Sequence, residues 1–185
     1  MRVTAIDPGG VRKGCSLALL ENRELIAVAP VVRLNELGPW ACDRVVVERP
    51  QQDGRSRSVP PAILMDLSWQ AALLVGGLAV HGRAEIVEYT PDDWKGQIQK
   101  AQQHANMIES GALTQREIDV VGAMCGPFGL WESEVFEARR KGALSRWARH
   151  ANAHYPTKSR LSDVLDTVAL GLFDAGRITK DGKRK

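Results

Sequence analysis

Along the first half of the chain, apolar residues fall in short runs, either alternating with polar ones or unbroken, which is the pattern of strands. Residues 2–7, RVTAID, alternate and end on Asp7, after which Pro8, Gly9 and Gly10 impose a turn. Residues 15–20 and 24–30 form two more apolar runs, and the short polar link Glu21-Asn22-Arg23 between them predicts an antiparallel hairpin. A short helix is expected over 34–40. Residues 44–48, RVVVE, are β-branched and bounded by Asp43 and Pro50, which suits a strand buried on both faces. A polar stretch rich in Gly, Arg, Ser and Pro, 51–60, reads as a loop. Pro60 and Pro61 then open a helix to about Val80, with Ile63, Leu64, Leu67, Ala71 and Leu74 along one side and His81-Gly82 at its end. Residues 84–89 return to strand character. Pro91-Asp92-Asp93-Trp94 opens another helix, with acids suited to its N-terminal dipole.

The second half is helical in pattern. Thr114-Gln115-Arg116-Glu117 fits a capping box, residues 125–129 are a break, and 130–150 carry helical anchors at Trp131, Val135, Phe136, Leu144 and Trp147. A last helix is expected over 163–175, capped by Ser162 and stopped at Gly176. No internal repeat or low-complexity segment interrupts this order. Hairpin first and βαβ afterwards predicts an α/β fold: a mixed five-stranded sheet, with an antiparallel hairpin plus parallel strands, flanked by helices. Residues 1–185 read as a single domain with a helical insertion at about 101–160 and a flexible basic tail at 177–185.

Composition narrows the class. With 185 residues, 44% of them hydrophobic, the chain can bury a core without staples and is not a disordered protein. Its three cysteines, Cys15, Cys42 and Cys125, have no metal-type spacing and read as reduced thiols. Asp7, Arg12 and Lys13 break up any secretory leader, and the longest apolar run, 71–80, is shorter than the ~20 residues that span a bilayer. A cytoplasmic protein with no membrane partner is expected. Net charge is only +3, but basic residues gather at Arg55 and Arg57, across 139–149, at Lys158 and Arg160, and in the tail, a distribution suited to a polyanionic ligand. Any one of these clusters, taken alone, reads as a solvated face.

The candidate chemistry lies in carboxylates. Asp7 and Glu48 each end an otherwise apolar strand, and Asp163 and Asp166 lie three apart at the start of a helix, on one face. Each has a plain structural reading: an Asx turn for Asp7, an arginine pair for Glu48, a helix dipole for Asp163. Together they form an ordered set, and ionised acids at strand ends are costly to bury unless a cation meets them. Mg²⁺, which prefers carboxylate oxygens, would serve.

These motifs carry a family resemblance. AIDPG at 5–9, VVVE at 45–48 and DVLDTVALGL at 163–172 resemble, in order, the three signatures of the RuvC family of Holliday-junction resolvases, within the ribonuclease H-like superfamily, and the match spans about two-thirds of the chain. Thr167 stands where alanine is usual. The resemblance implies a ribonuclease H-like sheet, with Asp7, Glu48, Asp163 and Asp166 as catalytic metal ligands for two Mg²⁺ ions about 4 Å apart, Mn²⁺ substituting. It implies cleavage of branched DNA, a four-way junction, by a homodimer whose two-fold axis matches the junction, with no nucleotide cofactor. TPDDWKGQIQK at 90–100 resembles the family's strand and basic helix start, which implies that Lys95 and Lys100 touch DNA phosphates. Lys100 reads equally well as a solvated lysine, and Trp94 as core. The helix at Pro61–Val80, with Gly76 and Gly77, is a candidate dimer interface.

There are departures. The loop after Glu48 has no aromatic wedge, leaving Arg55 and Arg57 as candidate phosphate contacts. Sixty-eight positions separate Lys95 from Asp163, more than is usual for the family and closer to phage and prophage versions. His150 and His154 lie four apart with no third zinc ligand evident, and read as surface histidines near DNA. Alternatives are a nuclease for other branched or flap DNA, and a non-catalytic DNA-binding protein on the same fold. Sugar kinases and actin-like ATPases share an opening Asp-Gly motif, but need a second such domain and a Gly-rich phosphate loop that this length cannot hold.

Overall fold

The computed structural model describes residues 1–8, 15–29, 37–50, 60–95, 98, 100–125 and 160–185. Strands β1 (Arg2–Asp7), β2 (Ser16–Glu21), β3 (Glu24–Ala29), β4 (Arg44–Glu48) and β5 (Glu85–Tyr89) form one sheet in the order β3-β2-β1-β4-β5. β1, β2 and β3 pair antiparallel, while β4 lies parallel to both β1 and β5. This is the expected mixed sheet, with hairpin on one side and parallel strands on the other. The hairpin turns on Asn22 and Arg23, both at positive φ (50° and 74°), the conformation whose twist matches that of the flanking strands.

Period-two alternation divides the strands between two cores. Val3, Ala5, Ala18, Leu20 and Val46 face one side; Ile6, Leu17, Leu19, Val45 and Val47 face the other. Among the described residues the helices are α1 (Pro61–Gly82), α2 (Pro91–Trp94), α3 (Lys100–Glu109), α4 (Gln115–Cys125) and α5 (Arg160–Asp174). α5 crosses the first face with Val164, Leu165, Val168, Ala169 and Leu172 buried. It comes so close that a Cβ on Gly171 would stand 2.6 Å from Leu20 Cδ1 and 3.3 Å from Ala5 Cβ. α1 covers the second face through Ala71, Leu74 and Leu78.

Several boundaries differ from expectation. Of the short helix expected at 34–40, residues 37–40 are described, and Gly38–Trp40 form a single 3₁₀ turn. α5 reaches back to Arg160, so Ser162 lies inside the helix instead of capping it. On α1, Ile63 is exposed; the packed stripe runs through Ala71, Leu74 and Leu78. Pro61–Val80 is also long and apolar enough by length and composition to cross a bilayer, which counting only unbroken apolar residues missed because Asp66, Ser68 and Gln70 interrupt it. Residues 100–125 are not peripheral. Ala105, Met107, Leu113 and Val121 belong to the main core beside α5.

The tail is folded back. Ile178 is fully buried and pairs with Arg184, Gln103 donates to the Lys180 carbonyl (3.0 Å), and Asn106 to that of Asp181 (2.7 Å). Gly182, at φ 76°, lies against the Gln103 backbone where no Cβ would fit. The tail's anchors on α3 are backbone carbonyls, which composition does not reveal. The helix at 130–150, His150 and His154, and Arg55 and Arg57 fall outside the described residues.

One buried ion pair ties this end together. Glu117 accepts from Thr114 N–H (2.8 Å) and Oγ1 (3.0 Å), the expected capping box, and from Leu25 N–H (2.8 Å), while the Arg177 guanidinium bonds both its oxygens. Burial alone would raise its pKa; the bonds from Arg177, Leu25 and Thr114 outweigh it and bring the value down from 4.5 to about 2. A depressed folded pKa stabilises the fold above pH 4.5, and that contribution disappears as pH falls toward 2. Urea unfolding across this window should therefore show a steep loss of stability. Glu117→Gln should lose about 2–4 kcal/mol at neutral pH and flatten that slope. An unchanged slope in the variant would assign acid sensitivity elsewhere.

Candidate active site

Strand ends place the acids. β1 and β4 are parallel neighbours with Ile6 opposite Val47, so Asp7 and Glu48 leave the sheet at the same edge. β5 runs parallel to β4 and pairs Tyr89 with Glu48, and the chain continues through α2 to Trp94 and Lys95 above that edge. The carboxyl end of a set of parallel strands is where open α/β sheets place their ligand sites. α5 brings Asp166 to it from the other side.

Lys95 links these groups. Its ammonium lies 2.9 Å from Glu48 Oε2 and 3.5 Å from Asp166 Oδ2, with Asp7 near enough to attract it as well. Burial disfavours the charged lysine, but Asp166, Glu48 and Asp7 together outweigh this and raise its pKa above the ordinary lysine value. The Trp94 ring lies beneath it, 4.5 Å from Nζ to centroid. Trp94 is core, as expected, and its indole N–H also donates to Glu48 Oε2 at 2.9 Å.

Two anchors went unread in the sequence. His104 on α3 is buried with Asp166, and Nε2 stands 2.8 Å from Oδ1. An ionised carboxylate only accepts, so Nε2 carries the proton and donates. His104 is not part of any motif legible in the sequence; its sole signal is a histidine amid the apolar positions of a ten-residue amphipathic helix. The second anchor is Thr167. Its hydroxyl donates to the Asp163 carbonyl (2.9 Å) and lies 2.5 Å from Ser16 Oγ, which also reaches that carbonyl (3.1 Å). Ser16 pairs with Asp7 across β1 and β2, so this contact sets Asp163 beside the Asp7 end of the sheet. Thr167 thus positions the acidic turn of α5.

The structure accordingly gathers Asp7, Glu48 and Asp166 about one lysine and holds Asp163 one helical turn from Asp166. Lys100 opens α3; Arg55 and Arg57 lie outside the described residues. Among the described residues, no three Asp, Glu, His or Cys side chains stand close enough together to grip a metal ion by themselves. The donors nevertheless suit a hard cation: they are carboxylate oxygens from three separate elements, and an ammonium already stands in for a positive charge between two of them.

No family model matches the chain, and no curated protein matches it. Among solved structures, it is similar to RuvC of Thermus thermophilus (17% identity, covering 95% of this chain and 96% of that one, TM-score 0.42). It is also similar to T. thermophilus RuvC in complex with a Holliday junction substrate (17% identity, 95% of each chain, TM-score 0.45). The superposition is loose, and the fold reading stands on strand order and pairing.

A double-mutant cycle tests the buried anchor. His104→Ala and Asp166→Ala, alone and combined, should show a coupling of about 1–3 kcal/mol in urea unfolding. Strictly additive losses would mean that the two side chains do not depend on each other.

Proposed function

We propose that this chain is a divalent-metal-dependent endonuclease that resolves four-way DNA junctions by phosphodiester hydrolysis. The supporting observation is the meeting of Glu48 and Asp166, with Asp7 beside them, around a cationic charge at the carboxyl edge of β1, β4 and β5. Carboxylates desolvated together in this way are expected where a site must attract cations.

Asp7, Glu48, Asp163 and Asp166 would hold Mg²⁺, or Mn²⁺ in its place, for two ions per site. When bound, the metal supplies a water of lowered pKa and neutralises charge developing on the phosphate. The chain's residues do the positioning. Trp94 orients Glu48, His104 orients Asp166, and the Ser16–Thr167 pair holds the Asp163 turn against the sheet. Lys95, with Lys100, Arg55 and Arg57, would contact DNA phosphates, and the products would carry 5′-phosphate and 3′-hydroxyl ends. A cytoplasmic enzyme of DNA recombination and repair is the corresponding cellular reading.

A homodimer fits the outer face of α1. Met65, Trp69, Leu73, Gly76 and Val80 recur at three- and four-residue spacing and form one apolar stripe, with Met65 and Trp69 about 70% exposed (73% and 68%) and open space around Gly76. Gly77 faces inward, where a Cβ would meet Leu37 Cδ1 at 2.6 Å. Of the two glycines, only Gly76 is placed for close approach of a second helix. In sedimentation velocity the chain should run as a dimer and Trp69→Arg as a monomer with an intact fold. A monomeric parent chain would remove the dimer.

For the activity, Asp7→Asn should abolish cutting of a synthetic four-way junction in Mg²⁺, a loss of at least ~10³-fold, with binding retained. Undiminished cleavage would sink the reading. Preferential cutting of flaps or other branched DNA in the same panel would move the substrate, and binding with no cutting in any metal would leave a DNA-binding protein.

A further inference from the structure

We propose that Lys95 is a built-in counter-cation that must leave the carboxylates when a divalent ion enters, and that the released ammonium then meets a DNA phosphate, so that ion and DNA strengthen each other's binding. This rests on the metal-dependent reading above.

The first argument is exclusion. Lys95 Nζ holds Glu48 Oε2 at 2.9 Å and lies 3.5 Å from Asp166 Oδ2. Mg²⁺ binds carboxylate oxygen at about 2.0–2.1 Å. An ion taking these oxygens would stand within a few ångströms of the ammonium, where two cations in a partly desolvated pocket repel strongly. The oxygens can serve one or the other.

The second argument is that Lys95 can move while its partners cannot. Asp166 is buried and bonded to His104; Glu48 is bonded to Trp94. Lys95 follows the short helix α2, and its side chain keeps 23% exposure at the rim. A lysine is a point charge on a flexible stem, unlike the rigid fork of an arginine. Swung outward, it leaves the carboxylates to the metal and presents its charge to solvent beside the same edge, where a phosphate would arrive.

Coupling then follows from linkage. DNA that draws Lys95 out removes the ion's competitor, so DNA must raise ion affinity, and the ion must raise DNA affinity by the same factor.

The test is Mn²⁺ binding to the full chain, by calorimetry and by the electron-paramagnetic signal of the free ion, without DNA. Lys95→Met should bind Mn²⁺ roughly tenfold tighter than the parent, and Lys95→Arg, which keeps the charge, no tighter. Lys95→Gln substitutes if the methionine variant does not fold. With Ca²⁺ in place of Mn²⁺ and an uncut four-way junction added, ion affinity should rise in the parent and stay flat in Lys95→Met. Equal Mn²⁺ affinities in parent and variant overturn this proposal alone. Absence of Mn²⁺ binding in every protein overturns it together with the metal-dependent reading.

Discussion

Acids brought together at one edge of a sheet repel one another and lose water, and they stay together only if a positive charge stands among them. In this chain that charge is the Lys95 ammonium, shared between Glu48 and Asp166 and attracted by Asp7. The rest of the architecture can be understood as the scaffold needed to keep that arrangement. Parallel pairing of β1 and β4 sets Asp7 beside Glu48. The parallel step to β5 and the short helix after it deliver Trp94 and Lys95. Close packing of α5, possible because Gly171 has no side chain to strike Leu20, delivers Asp166.

Support for the acids extends through the chain's second half. The tail grips α3 through Gln103 and Asn106, and the intervening His104 holds Asp166. Arg177, just past α5, joins Glu117 and so fastens α4 and β3 to the same end. Residues 100–125 and the tail therefore pack together behind the acidic edge. A buried carboxylate with one hydrogen-bonding neighbour fixed in place keeps its direction, which a site built for a metal requires.

Strands were legible because two-residue periodicity and β-branched runs follow directly from a half-buried or buried sheet. Asp7 and Glu48 were legible because an acid ending an apolar strand has few packing reasons to be there. The Asp163–Asp166 pair was legible from helical spacing. What escaped reading depends on contacts distant in sequence. His104 pairs with a residue 62 positions away, and Thr167 with one 151 away. Ile63 fits the helical stripe of α1, yet it is exposed. The cation among the carboxylates was equally hidden: Lys95 read as a DNA contact, and nothing local shows that it turns back toward Glu48.

The most direct measurement is a crystal structure of the chain soaked in Mn²⁺, with anomalous scattering locating the ion. The account predicts a peak at coordination distance from Glu48 and Asp7 or Asp166, with Lys95 Nζ withdrawn from Glu48. Crystals that take up Mn²⁺ elsewhere, or none, with Lys95 still bonded to Glu48, would contradict it.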